Sequence, residues 1–221
     1  KTKVMSLAIA WSYFQALRET DSPMAKSFVI IAPNLTVYER LKDDFAGGNI
    51  FEEDPVIPPE WKGDFSMSVV LQDGAGGGIS SSGGVIYLTN IHRLYDPDKR
   101  GNANGEHYGF MGPAVSKAKA LDQGESLRKR ITSHDRIMVL NDEAHHVWDP
   151  DSAWNEAIGY LHDGCSASGP SANGTGPSSR GVIAELDFSA TPKDNQGQLF
   201  KHIICDTPLG EAVDAGIVKT P

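Results

Sequence analysis

From its amino end the chain alternates apolar runs with polar or glycine-rich intervals, and each run carries its own period. After Lys1-Thr2 come Val4, Met5, Leu7, Ala8, Ile9, Trp11 and Phe14, a helix-forming segment too apolar for a surface helix. It is expected to be largely buried and to stop before Pro23, which cannot continue a helix. Ser27 to Ala32 is a continuous apolar run closed by Pro33-Asn34, the pattern of a strand covered on both faces. Leu35, Tyr38, Leu41 and Phe45 then recur at helical spacing. Residues 46–67, with Pro55, Pro58 and Pro59, read as an irregular excursion anchored by Trp61. Short strands are expected at 68–72 and 85–89, the second leading into Asn90-Ile91-His92-Arg93-Leu94-Tyr95. An exposed helix with a basic end is expected over 114–130. Ile137-Met138-Val139-Leu140 is a further buried strand, running straight into Asn141-Asp142-Glu143. Asp149 to Ser152 reads as a turn and N-cap before a helix over 153–162 that packs Trp154, Ile158 and Leu161. Residues 184–188 form the last clear strand, ending in Ser189-Ala190-Thr191-Pro192. An edge strand over 200–204 and a short helix over 208–216 follow.

Strands alternating with helices predict an α/β doubly wound fold with a mostly parallel sheet. The Gly/Ser-rich tracts 73–84 and 164–181 are expected to be flexible loops. The first lacks the Lys-Ser/Thr that would make it a phosphate-binding loop, so it reads as a connector. A formal net charge of −9 over 221 residues argues against nucleic-acid binding through a bulk basic surface, while leaving room for a local groove. No apolar stretch approaches the roughly 20 residues of a membrane span. Cys165 and Cys205 read as two reduced thiols, and no paired Cys/His spacing predicts a structural zinc site.

The chemistry lies at the ends of the apolar runs. In an open parallel sheet, ligands bind beyond the carboxyl ends of the strands. Asp142 and Glu143 stand at one such end, with His145 and His146 just after. Pro33-Asn34, Thr89-Asn90-Ile91-His92 and Ser189-Ala190-Thr191 stand at three others. Two adjacent carboxylates suit a metal ligand, or simply a helix N-cap. The Pro33-Asn34 turn before a helix is either an anion site or a plain connection. Lys1-Thr2 on the first turn of a helix is how a Walker A sequence ends, although any helix can begin so.

Taken together and in order, these segments resemble motifs of superfamily 2 helicases. Asp142-Glu143-Ala144-His145 spells the DEAH box of motif II. Lys1-Thr2 resembles the end of motif I, and the segments at 33–36, 89–92 and 189–191 resemble motifs Ia, Ib and III. Pro33 to Val37, Thr89 to Tyr95, Leu186 to Pro192 and Ala215 to Pro221 are similar to the Res subunit of type III restriction enzymes. The resemblance runs over nearly the whole chain. It implies a RecA-like P-loop NTPase three-layer sandwich, first motor domain only, over 1–216, with 217–221 beginning a connection to a second domain. It also implies a glycine-rich strand-loop and an adenine contact before Lys1.

The same resemblance implies the ligands ATP and Mg²⁺. Lys1 is expected on the β/γ-phosphates, the Thr2 hydroxyl and Asp142 on Mg²⁺, and Glu143 as general base. His145, Ser189 and Thr191 are expected to couple the nucleotide to a nucleic acid, and Pro33, Asn34, Thr36, Thr89, Asn90 and His92 to meet its backbone. The implied partners are double-stranded DNA, a second RecA-like domain, a nuclease domain of the same protein and a modification methyltransferase subunit. The implied location is the cytoplasm, with no membrane contact. A second domain supplying an arginine finger would leave residues 1–221 alone slow at hydrolysis. Alternative readings are a non-catalytic nucleotide-binding scaffold, a stand-alone DEAH helicase and a nucleotide kinase. The last is disfavoured by Ser189-Ala190-Thr191.

Overall fold

The apolar runs assemble side by side into one sheet. The computed structural model describes residues 1–52, 56–74, 83–95, 117–144, 153–167, 180–193, 197, 199–200 and 202–216, with backbone only for 117–123, 153 and 209. In chain order the elements are α1 (Thr2–Arg18), β1 (Ser27–Ala32), α2 (Leu35–Phe45), α3 (Asn49–Glu52), β2 (Met67–Leu71), β3 (Gly84–Asn90), α4 (Lys117–Thr132), β4 (Arg136–Asp142), α5 (Ala153–Ala167), β5 (Gly181–Phe188) and α6 (Leu209–Asp214). The strands lie in the order β2-β3-β1-β4-β5. Every pairing between them is parallel, as the apolar runs predict.

Strand alternation divides the core in two. Phe28, Ile30, Ile86, Leu88, Met138 and Leu140 face the layer of α1 and α2, where they meet Ile9, Tyr13, Leu41 and Phe45. Val29, Ile31, Val85, Tyr87, Ile137 and Val139 face α4 and α5, where they meet Leu127, Ile131, Trp154 and Leu161. Both faces are therefore covered, which explains why β1, β3 and β4 carry no polar alternation until their last residues. The excursion after α2 is built from α3 and 3-10 turns at Ala46–Gly48 and Pro59–Asp64. Trp61 anchors it: the Arg18 guanidinium lies 3.9 Å over its ring and Phe14 packs 5.0 Å away.

Four expectations are corrected. α1 is buried along one face only, through Met5, Ile9, Ala10, Tyr13 and Phe14. Val4 and Trp11 are each 56% exposed, because its opposite flank turns away from the sheet. α4 is not a surface helix: Leu127 and Ile131 are buried against the sheet. Arg128 is buried with them, its guanidinium donating to the carbonyls of Tyr95 at 2.6 Å and Arg93 at 3.4 Å. α5 runs on to Ala167, so the first residues of the expected loop 164–181 are helical. Gly164 reads as a helix breaker in sequence, but a Cβ there would lie 2.4 Å from Cγ2 of Thr132 at the end of α4. The glycine allows the two helices to approach. Finally, the described residues of 200–204 form no strand, and Ile204 is 89% exposed. The Phe200 N–H instead donates to the Pro192 carbonyl at 3.1 Å, a local turn contact. An isolated antiparallel bridge, Lys193 to Leu199, is the nearest regular pairing. Of the loop 73–84, residues 75–82 lie outside the described residues, as do 168–179 of the second tract and 217–221.

Candidate functional site

Register brings the polar strand ends together. Ala32 pairs with Asn90, Ile31 with Asn141, and Asp142 with Phe188. The residues that follow each strand, Pro33-Asn34, Ile91-His92, Glu143 and Ser189, therefore share the carboxyl edge of the sheet.

The parity of β4 decides which way each polar residue faces. Asp142 continues the side of Met138 and Leu140, toward α1 and α2, and its side chain is 1% exposed. Lys1 sits at the N-cap position of α1 and makes no side-chain cap bond, and its ammonium extends to Asp142 instead. Lys1 Nζ lies 3.2 Å from Asp142 Oδ1 and also contacts Glu143 Oε1. Asp142 Oδ1 accepts the Glu143 backbone N–H at 3.0 Å. Arg40, from α2, closes the other side by donating to Asp142 Oδ2. Glu143 has φ 53, the left-handed region that a residue with a Cβ enters at a cost of about 1–2 kcal/mol. The reversal turns its carboxylate toward Lys1 instead of along the strand.

A buried carboxylate surrounded by two cationic groups and an amide N–H is a site built for positive charge. The available donors, Asp142, Glu143 and the Thr2 hydroxyl beside Lys1, are all oxygens and fit a hard divalent cation such as Mg²⁺. Lys1 and the positive end of the α1 dipole fit an anion next to it. The same edge can thus hold a metal–phosphate pair.

Asn141 faces the opposite layer and is fully buried. Its Nδ2 donates to Glu185 Oε1 at 2.6 Å and to Asp187 Oδ1 at 2.8 Å, while its Oδ1 accepts from Trp154 Nε1 at 3.3 Å. Burial, and then the nearby Asp187 charge, raise the Glu185 carboxyl above its ordinary value, against the hydrogen bond from Asn141. This network sits directly behind Asp142 and fixes β4 against β5.

The other expected residues are placed as follows. Asn34 caps α2, its side-chain oxygen accepting the Val37 N–H at 2.9 Å, and Thr36 is exposed two residues later. Pro33 is half-buried between them and the end of β1. Thr89 is fully buried, and its hydroxyl donates to the Asn90 carbonyl at 3.0 Å. Asn90 is 5% exposed, with its side-chain oxygen unpartnered among the described residues and its N–H donating to Gln72 Oε1. His92 is half-buried, with its ring edge-on to Tyr95 at 5.5 Å. Ser189 and Thr191 form a local turn: the Ser189 hydroxyl donates to the Thr191 carbonyl at 2.9 Å and accepts its N–H at 3.1 Å. His145 and His146 lie outside the described residues. Cys165 is buried, its thiol pushed up to about 11 by burial, and Cys205 is exposed; both are free thiols. No helix among the described residues is long and apolar enough to cross a membrane.

Arg40 and the Asn141 network were not legible beforehand. By helical spacing Arg40 falls on the solvent face of α2, and nothing in the sequence separates it from a solvated cation. Asn141 could have been suspected as an amide ending an apolar run, but its partners come from β5 and α5.

An all-parallel sheet whose carboxyl edge joins a lysine at a helix N-terminus to adjacent carboxylates fits an α/β domain of the RecA fold. Residues 1–194 match the family described as type III restriction enzyme, res subunit, and the chain belongs to that family. No curated protein and no solved structure matches the chain.

Proposed function

We propose that this chain is the ATP-hydrolysing motor domain of a type III restriction subunit, coupling hydrolysis to movement on double-stranded DNA in the cytoplasm. The observation that carries the reading is the contact of Lys1 with both Asp142 and Glu143 at the end of β4, in a chain of this family. Lys1 would neutralise the β/γ-phosphates of ATP, and Thr2 and Asp142 would hold Mg²⁺. When bound, the metal neutralises charge on the phosphates. Glu143 would accept the proton of the attacking water as general base, a role its placement beside Asp142 supports. Ser189 and Thr191, one strand away, would pass the state of the nucleotide toward the nucleic-acid face, with His145 as their proposed partner. Asn34, Thr36 and His92 lie along the edge that a phosphodiester backbone would follow, mostly through polar and main-chain contacts. Thr89 and Asn90 belong to the same strand end and, being buried, would support it from beneath. A second RecA-like domain, a nuclease domain and a modification methyltransferase would complete the assembly.

In the full chain, Glu143→Gln is expected to lower ATP turnover by at least about 10²-fold while a fluorescent ATP analogue still binds. Turnover at the wild-type rate would remove Glu143 as the base. Wild-type hydrolysis that ignores added DNA would overturn the motor reading.

A further inference from the structure

Arg40 makes a charge contact at this edge from 102 residues away in sequence, and the motifs assign it nothing. It stands on α2, whose buried face is Tyr38, Leu41 and Phe45. Its side chain is 52% exposed, yet the guanidinium reaches inward to Oδ2 of Asp142, which is 1% exposed. Oδ1 of the same carboxylate already faces Lys1 and the Glu143 amide. A single buried carboxylate is thus shared between two cations that arrive on different helices.

We infer that Arg40 is a displaceable counter-ion of Asp142, competing with the divalent cation for that carboxylate. The inference rests on the proposed role of Asp142 in metal binding. A buried carboxylate without a partner is strongly unfavourable, so some cation must neutralise it at every stage. A guanidinium on Oδ2 and a divalent ion on the same carboxylate would lie within a few ångströms of one another, and their repulsion makes the two occupancies mutually antagonistic. Asp142 cannot yield, because it is the last residue of a strand buried on both faces. Arg40 can: half of its side chain is in water, and Asp43 and Asp44 lie three and four residues further along α2, where a released guanidinium can pair with them. Arg40 therefore holds the edge together without metal and raises the metal concentration needed to fill it. A fixed structural strut would do only the first.

Mn²⁺ binding to the purified full chain, without nucleotide, separates the two, with free Mn²⁺ read by electron paramagnetic resonance. Arg40→Gln is expected to lower the Mn²⁺ midpoint by on the order of tenfold, the worth of one charge-assisted hydrogen bond. The same variant is expected to melt at lower temperature than wild type in chelator and to recover on adding Mn²⁺. If Arg40→Gln does not fold, Arg40→Lys, which keeps the charge but loses the planar fork, is expected to lower the midpoint by less. Uptake by the Arg40 variant alone supports the inference. An unchanged midpoint with Asp142-dependent binding, or uptake by neither protein, overturns it. Asp142→Asn that binds Mn²⁺ like wild type would instead remove Asp142 as a metal ligand, and with it the reading on which the inference rests.

Discussion

At the scale of single residues, the end of β4 separates side chains that are neighbours in sequence. Asn141 turns to α5, Asp142 to α1 and α2, and Glu143 leaves the strand through a left-handed backbone. The first two directions follow from the strand period and the third from a backbone reversal, so three adjacent polar residues take three different surroundings. Asn141 is the one whose removal tests packing without touching the proposed chemistry. Asn141→Ala leaves Glu185, Asp187 and the Trp154 indole each short of a partner. It is expected to cost about 1–3 kcal/mol in a urea unfolding titration and to shift Trp154 fluorescence. Stability equal to wild type would mean that water replaces all three bonds. The carboxylate pair itself was legible as an apolar run ending in two acids. Arg40 as its partner was not, because α2 reaches it from about a hundred residues upstream, and neither were the β5 partners of Asn141, about forty residues downstream.

At the scale of elements, the helix ends at the sheet edge do more than terminate helices. Asn34 holds the head of α2 through the Val37 N–H, and α2 in turn presents Arg40 to Asp142. Asn34→Ala is expected to cost about 1 kcal/mol of stability by chemical denaturation, the ordinary loss of an N-cap. A loss within experimental error would show that the Pro33 turn sets the start of α2 without the cap. The strands and the helices α1, α2 and α5 were readable from period and punctuation, because each is a local statement about spacing and breakers. The burial of α4 was not. Its basic tail looks solvated until Arg128 is seen donating to the loop carbonyls after β3. Gly164 misled in the other direction, since its role is the close approach of α5 to Thr132.

At the scale of the molecule, β3 is tied to the turn between α4 and β4 on the α4 and α5 side of the sheet, away from the site. The Tyr87 hydroxyl of β3 lies 2.8 Å from His134 Nε2, in the turn between α4 and β4, with the rings 5.6 Å apart. Burial pushes the His134 imidazole below its ordinary 6.5, against the nearby Asp135 charge. The folded chain therefore favours the neutral ring. The stability this contributes is present above pH 6.5 and is lost as pH falls through the lowered folded value. The urea midpoint of the wild-type chain is expected to drop as pH falls below 6.5, and His134→Gln is expected to flatten that limb. An identical slope in both proteins would assign the acid sensitivity to other groups. The net charge of −9 acts at this scale too, and any contact with DNA must be made by the local edge against the field of the whole.

The sequence by itself determined the five strands of the sheet, that the five lie parallel, and which residues stand at their ends, though it also expected a strand over 200–204 that the described residues do not form. Those properties follow from apolar run length, side-chain period and the turn residues that close each run. Only the tertiary structure decided that Arg40 rather than solvent faces Asp142, that Asn141 joins β4 to β5 and α5, and that Thr89 and Asn90 are covered. These depend on which strands become neighbours and on the parity with which each reaches the edge, and no local pattern of residues encodes either.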